Sequence, residues 1–119
     1  MPGGASIALR TAAVLGVTGV ALGAFGAHGL QPVLQRLDTE AIWKTASLYH
    51  LVHAVALLAM AASARASAWL TGLWTAGILI FSGSLYILAV TGFTKLGMIT
   101  PIGGLAFIAG WLLILVRGR

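Results

Sequence analysis

Four long apolar segments dominate this chain and constrain its fold more than any other feature. They cover residues about 7–27, 46–62 (with a lead-in from 38), 69–90 and 102–116. A helix needs ~20 residues to cross the hydrocarbon core of a bilayer, so each segment approaches the length of a membrane span. Because the segments are continuously apolar and do not alternate, they favour helices over barrel strands. We therefore predict one all-α domain over residues 1–119, a bundle of four transmembrane helices in the lipid bilayer.

The composition supports this prediction and excludes several functions. Only 8% of the residues are charged, whereas a soluble domain carries roughly 25%. The net charge of +5 comes from basic residues scattered at segment ends, which are Arg10, Arg36, Lys44, Arg65, Lys95, Arg117 and Arg119. Nucleic-acid binding requires a clustered basic surface, so we expect no nucleic-acid partner. The absence of cysteine excludes disulfides and thiolate chemistry.

The polar stretch between the first two segments has a helical pattern of its own. Its apolar residues recur at helical spacing, and they are Leu30, Val33, Leu34, Leu37 and Ala41. This pattern predicts a short amphipathic helix between helices 1 and 2, lying at the membrane interface. Trp43 follows it where an interfacial anchor is expected, and Trp69 and Trp111 should mark the opposite boundary.

Four spans place both chain ends on one side of the membrane. That side carries Arg10, Arg65, Arg117 and Arg119, against Arg36, Lys44 and Lys95 on the other side. Basic residues accumulate on the cytoplasmic side of membrane proteins. We therefore expect the N- and C-termini in the cytoplasm.

Glycines on the first and fourth segments predict close helix packing. They form two small-residue faces, one from Gly16, Gly19, Gly23 and Gly26 and the other from Gly103 and Gly110. A surface without side chains lets two helix backbones approach closely. A cleaved signal sequence would have no use for such a face, so we expect the first segment to be retained.

Polar side chains inside the apolar segments are the best indication of a site. His50 and His53 are three residues apart and share a helical face. Ionisable residues within a membrane usually face the interior of a bundle or a wet cavity. Counting residues from the segment ends places further polar residues near the same depth, in the half of the bundle away from the termini. The predicted cluster contains His28, Tyr49, His50, His53, Ser82, Ser84 and Tyr86.

Several interpretations of this cluster stay open. Its members could only hydrogen-bond between helices, each pair being worth roughly 0.6–2 kcal/mol in a membrane. Alternatively, they could line a polar cavity in which a histidine accepts a proton or binds a small ligand. Histidines also bind metal ions and haem, but no carboxylate or thiolate lies within the spans and no motif supports either group. We therefore predict no metal and no cofactor.

Catalytic residues are not visible in the sequence. Ser82 and Ser84 flank Gly83, but no acid within the spans completes a catalytic triad. These serines favour close helix packing, with their hydroxyls bonded to backbone carbonyls. We predict a protein without catalytic residues, which is not an enzyme.

Four motifs resemble those of a family of small membrane proteins known as domain of unknown function 423. They are residues 21–29 (ALGAFGAHG), 43–58 (WKTASLYHLVHAVALL), 81–86 (FSGSLY) and 99–104 (ITPIGG). The resemblance extends over nearly the whole chain and implies a multi-helix protein of the bacterial inner (plasma) membrane, with mitochondrial relatives. It implies no activity. The motif positions that it marks are Gly26, His28, Tyr49, His50, His53, Ser82, Ser84, Tyr86, Pro101 and Gly104.

Two functions from different classes remain. The first is a non-enzymatic accessory, assembly or structural component of the membrane, which packs its glycine faces within itself, against a second copy or against another membrane protein. The alternative is a small transporter or ligand-binding protein that uses the polar cluster. An open, wet pocket at the histidines would favour the alternative, and sealed imidazoles would favour the first.

Overall fold

The computed structural model describes residues 3–117, with side chains from Ile7 onward. Four helical stretches are long and apolar enough to cross a membrane, namely Ile7–Ala27, Glu40–Ala62, Ala68–Thr91 and Thr94–Arg117. Helices and turns make up the described residues, and no strand occurs among them. The prediction of an all-α bundle with four transmembrane helices is therefore confirmed.

The first half of the chain contains two spans and the short helix between them. These elements are α1 (Gly3–Ala27), α2 (Gln31–Leu37) and α3 (Glu40–Ala62). Pro32 lies in the first turn of α2, where its missing N–H is not needed. Leu34 is buried in the core while Gln35 and Arg36 are exposed, so the predicted amphipathic helix is confirmed.

The second half contains two spans, the first of which includes a π-helical turn. Its elements are α4 (Ala68–Gly77), the π turn (Ile78–Ser82), α5 (Gly83–Thr91), a 3-10 turn (Thr94–Met98) and α6 (Thr100–Arg117). The hydroxyl of Ser67 accepts the N–H of Leu70 at 3.1 Å and thereby caps the start of α4. Gly92 ends α5 at a φ of 73°, a conformation that glycine adopts without steric cost.

Helix α1 packs along α3, and α6 packs along α4 and the π turn, while α3 also contacts α5. We call the end with α2 and residues 92–99 the loop end, and the end with the 63–67 turn and Arg117 the terminal end. One part of the buried core contains Ala12, Leu15, Ala54, Leu57, Leu70, Trp74, Ile78 and Phe107. A second part, toward the loop end, contains Leu34, Trp43, Ala46, Tyr86 and Ala89.

Two of the three tryptophans expected at the membrane interface make hydrogen bonds within the bundle. Trp43 is only 5% exposed, and its indole N–H donates to the carbonyl of Leu22 at 3.0 Å. The indole lies over Gly26, where any side chain would overlap it. Trp111 lies within α6 and bonds a histidine of α3. Trp69, by contrast, is 72% exposed in the first turn of α4, as suits an interfacial anchor.

Candidate functional site in the bundle core

His50 joins three helices through hydrogen bonds from both of its ring nitrogens. Its Nε2 lies 3.2 Å from Oγ1 of Thr18 on α1, and its Nδ1 lies 2.9 Å from the hydroxyl of Tyr86 on α5. The side chain is 3% exposed. The imidazole is therefore enclosed by protein, with a hydroxyl on each side.

Two arrangements of the protons satisfy the bonds of His50. In one, Oγ1 of Thr18 donates to the carbonyl of Val14 at 3.1 Å or of Leu15 at 3.0 Å, Nε2 of His50 donates to Oγ1, and Nδ1 accepts from Tyr86. In the other, Oγ1 of Thr18 donates to Nε2, Nδ1 donates to the hydroxyl of Tyr86, and that hydroxyl donates to Ser47.

His53 belongs to a second network, directed toward α4 and α6. Its Nδ1 lies 2.8 Å from the carbonyl oxygen of Tyr49, and its Nε2 accepts the indole N–H of Trp111 at 3.0 Å. A carbonyl only accepts and an indole only donates, so His53 is the neutral Nδ1–H tautomer. The ring stacks on Phe107, with 3.7 Å between centroids, and meets Trp74 edge-on at 5.4 Å. Aromatic rings thus surround this histidine.

The two serines of the predicted cluster bond to other helices at different places. The hydroxyl of Ser82 donates to the carbonyl of Ala46 at 2.7 Å and ties the π turn to α3. Ser84 lies 2.6 Å from the hydroxyl of Thr100 at the start of α6. Each serine therefore connects neighbouring helices, and neither faces a histidine.

Tyr49 and His28 lie at the margin of the cluster or outside it. Tyr49 is 41% exposed, and its ring packs on Phe81 at 4.7 Å between centroids. His28 is exposed in the turn after α1 and takes no part in either histidine network. Among residues 3–117, no three His, Asp or Glu side chains are grouped closely enough to hold a metal ion.

The glycines divide into those covered by a neighbouring helix and those left open. A side chain at Gly19 would meet Leu51 at 2.6 Å, and one at Gly103 would overlap the backbone of Phe81. The indole of Trp74 covers Gly110 in the same way as that of Trp43 covers Gly26. Gly16 and Gly23, on the same row as Gly19 and Gly26, have nothing within 4 Å of the position a Cβ would take.

A groove of about 400 Å³ opens between α1, α2 and α3 at the loop end. Apolar residues such as Leu48 and Leu51 line it together with the charged Glu40 and Lys44. Ser47 also lines the groove, and its Oγ lies 3.5 Å from the hydroxyl of Tyr86. The groove therefore adjoins the network of His50 without exposing the imidazole.

The family of this chain follows from its similarity to known proteins. The model of the family described as "Protein of unknown function (DUF423)" matches residues 22–104. The chain belongs to the DUF423 family. It is similar to the UPF0382 membrane protein YwdK of Bacillus subtilis, with 42% identity over 113 residues that cover 87% of this chain and 89% of the relative.

Similar proteins also occur in Haemophilus influenzae and Escherichia coli. A UPF0382 membrane protein of Haemophilus influenzae is 43% identical over 108 residues, covering 87% of this chain and 86% of the relative. The UPF0382 inner membrane protein YgdD of Escherichia coli is 40% identical over 112 residues, covering 88% of this chain and 83% of the relative. No solved structure matches the chain. The expected family is confirmed, and with it the assignment to the membrane.

Three residues that form hydrogen bonds between helices are not among those predicted from the sequence. Thr18 carries the same signal as the histidines, a polar residue inside an apolar segment, but the glycines around it obscure that signal. Trp111 is predicted at the membrane boundary instead. Thr39, whose hydroxyl donates to the carbonyl of Ala89 at 2.6 Å, precedes the second span and carried no distinguishing pattern.

Proposed function

We propose that this DUF423 protein is a non-enzymatic structural or accessory component of the bacterial inner membrane, which associates through α1 with a second copy of itself. The observation that carries the proposal is the open part of the α1 glycine row. Gly16 and Gly23 are seven residues apart, so they lie on one helix face two turns apart. Within a membrane, such small residues let two helices approach closely.

The bonding of the two histidines supports a structural role. Both nitrogens of each imidazole are engaged by neighbouring groups. A general base or a metal ligand needs a free nitrogen directed at a substrate or an ion. These histidines instead connect α3 to α1, α5 and α6.

A second copy is the partner that fits this face best. Copies of one chain insert with the same orientation, so a two-fold axis along the membrane normal brings α1 against α1 in parallel. Helix dimers in membranes form on faces of small residues. The open ones on α1 are Gly16 and Gly23, because Leu51 of α3 covers Gly19. Val20 lies between Gly16 and Gly23 in the chain and is exposed, so it would sit at the contact.

Cysteine cross-linking in membranes tests the proposal, since the chain has no cysteine of its own. Val20→Cys should give a disulfide-linked dimer, and adding Gly16→Leu and Gly23→Leu should abolish it. Gly72→Leu is the matched control, because Gly72 also has nothing within 4 Å but lies on α4. A Val20→Cys protein that stays monomeric under oxidation would overturn the dimer. Cross-linking to a different protein would replace the second copy with that partner.

For the orientation, we propose that the terminal end faces the cytoplasm. Arg10, Arg65 and Arg117 lie at this end, whereas both acidic residues of the chain, Asp38 and Glu40, lie at the loop end. Arg119, which was counted with the terminal side, falls outside the described residues. A reporter enzyme that works only in the cytoplasm should be active when it is fused after Arg119. A reporter enzyme that works only outside the cytoplasm should be inactive at the same position, and its activity would reverse the orientation.

A second candidate function is the binding of a small ligand in the groove at the loop end. The observation that favours it is Ser47, which lines the groove and lies beside Tyr86, the partner of His50. A ligand that hydrogen-bonds to Ser47 would act on the core through the contacts from Ser47 to Tyr86 and from Tyr86 to His50. Native mass spectrometry of protein extracted with its lipids should then detect a bound molecule that is lost with Ser47→Leu. A wild-type protein carrying no such molecule would end this candidate.

A further inference from the structure

A cavity of about 360 Å³ lies at the terminal end, and no member of either histidine network lines it. It is bounded by the end of α3, the start of α4 and the last turns of α6. Its apolar wall is formed by Met60, Leu70, Leu113 and Ile114. Two arginines and a hydroxyl complete the lining, namely Arg65, Arg117 and Ser67. We propose that this cavity is a binding site for an anionic phospholipid, with the headgroup phosphate between Arg65 and Arg117.

Charge complementarity selects an anion for this site. Arg65 and Arg117 come from different elements and line one cavity. The chain has only two acidic residues, Asp38 and Glu40, and both belong to the loop end. Among the described residues, no acidic side chain therefore lies at this end to neutralise the guanidinium groups. A planar guanidinium binds phosphate oxygens in pairs, which a point charge does not.

The apolar wall selects a lipid over a free phosphate ion. Leu113, Ile114 and Arg117 lie on one side of the last turns of α6, so an acyl chain along the two apolar residues ends at the arginine. Basic pockets between transmembrane helices on the cytoplasmic side, where the proposed orientation places this cavity, bind anionic lipid headgroups. A phosphate ion alone would leave the wall formed by Met60, Leu70, Leu113 and Ile114 without an apolar occupant.

The turn that carries Arg65 has a fixed backbone. The N–H of Arg65 bonds to the carbonyl of Met60 at 2.8 Å, and the N–H of Ala64 bonds to that of Ala61 at 3.1 Å. Ala64 is left-handed at a φ of 59°. This pair of bonds is a Schellman motif, which ends α3 and sets the direction of the next residues. Ser67 then caps α4, so Arg65 is held between two helix termini.

Native mass spectrometry of the full-length protein tests this site directly. Protein in neutral detergent is mixed with equal amounts of phosphatidylglycerol and phosphatidylethanolamine, and the retained lipids are counted. We expect the wild type to retain phosphatidylglycerol preferentially. Arg65→Gln and Arg117→Gln should each weaken its binding about fivefold, because an arginine near a charged lipid surface contributes about 1 kcal/mol.

The matched control is Arg10→Gln, which removes the same charge at the same end but from a residue that does not line the cavity. Equal loss of phosphatidylglycerol with Arg10→Gln would show a general surface attraction and overturn the site. Equal binding by all variants would overturn it as well. Soluble glycerophosphoglycerol should not compete with the lipid at equal concentration. Full competition would mean that the site takes a phosphate ester and not a lipid.

Discussion

The indole N–H of Trp111 on α6 donates to Nε2 of His53 on α3 across 3.0 Å. This bond joins the last span to the second one and determines which nitrogen of His53 carries the proton. An indole has a single N–H, so no rotation of the Trp111 side chain can present a different donor to His53.

Trp111→Phe keeps an aromatic ring near His53 but removes the donor to Nε2. We expect the free energy of unfolding in detergent to fall by about 0.6–1.7 kcal/mol, from the average to the maximum measured for hydrogen bonds between membrane helices. Trp69→Phe is the control, since Trp69 is 72% exposed. Equal stability of the Trp111→Phe protein and the wild type would show that the bond contributes nothing measurable.

Thr18 and Tyr86 should be energetically coupled although no hydrogen bond joins them directly. Both bond to His50, one through each ring nitrogen. Thr18→Val and Tyr86→Phe should each destabilise the bundle, and the double variant should lose less than the sum by at least about 0.5 kcal/mol. A double-mutant cycle on chemical unfolding measures this difference. Strict additivity would mean that the two bonds do not act as one network.

Gly103→Ala should be among the most destabilising substitutions that add one methyl group to the protein. A Cβ at Gly103 would overlap the backbone nitrogen of Phe81, and backbone cannot rotate away as a flexible side chain can. We expect a loss of about 1–3 kcal/mol, as for overpacked cores. Gly72→Ala adds the same methyl group where nothing lies within 4 Å and should be neutral or slightly stabilising. Thermal unfolding of the two variants side by side gives the comparison.

Ala64→Gly should stabilise the protein. Ala64 is held at a φ of 59°, where a Cβ costs about 1–2 kcal/mol and glycine pays no such penalty. The greater freedom of glycine in the unfolded chain offsets part of the gain, which leaves about 0.5–1 kcal/mol. Ala59→Gly, inside α3, should change the stability in the opposite direction. A lower melting temperature for Ala64→Gly would contradict the strain assigned to this turn.

The helical spans could be predicted from the sequence because lipid demands long apolar helices and leaves few alternatives. The segmentation placed the second span at 46–62 with a lead-in from 38, and α3 runs from Glu40 to Ala62 without interruption. The chain before residue 46 includes Trp43, whose burial allows the helix to extend through that polar stretch. Such burial depends on Gly26 of another helix, and residue periodicity alone does not reveal it.

The direction of each histidine could not be predicted in the same way. Residues three apart share a helix face but differ by about 60° around the axis. That difference is enough for His50 to reach α1 and α5 while His53 reaches α6. Which helix stands at each angle depends on how the four spans are arranged around α3. Apolar segments of similar composition carry little information about that arrangement.

The two tryptophan–glycine contacts have a consequence for how the chain can be divided. Trp43 bonds α3 to α1, and Trp74 bonds α4 to α6 through the carbonyl of Phe107 at 3.2 Å. Each indole therefore closes a hairpin made of helices adjacent in the chain, within its own half of the sequence. The 63–67 turn links two hairpins, each closed by its own indole. We expect two separately synthesised fragments divided in this turn to associate, because the contacts of α3 with α5 and the bond between His53 and Trp111 would form between them.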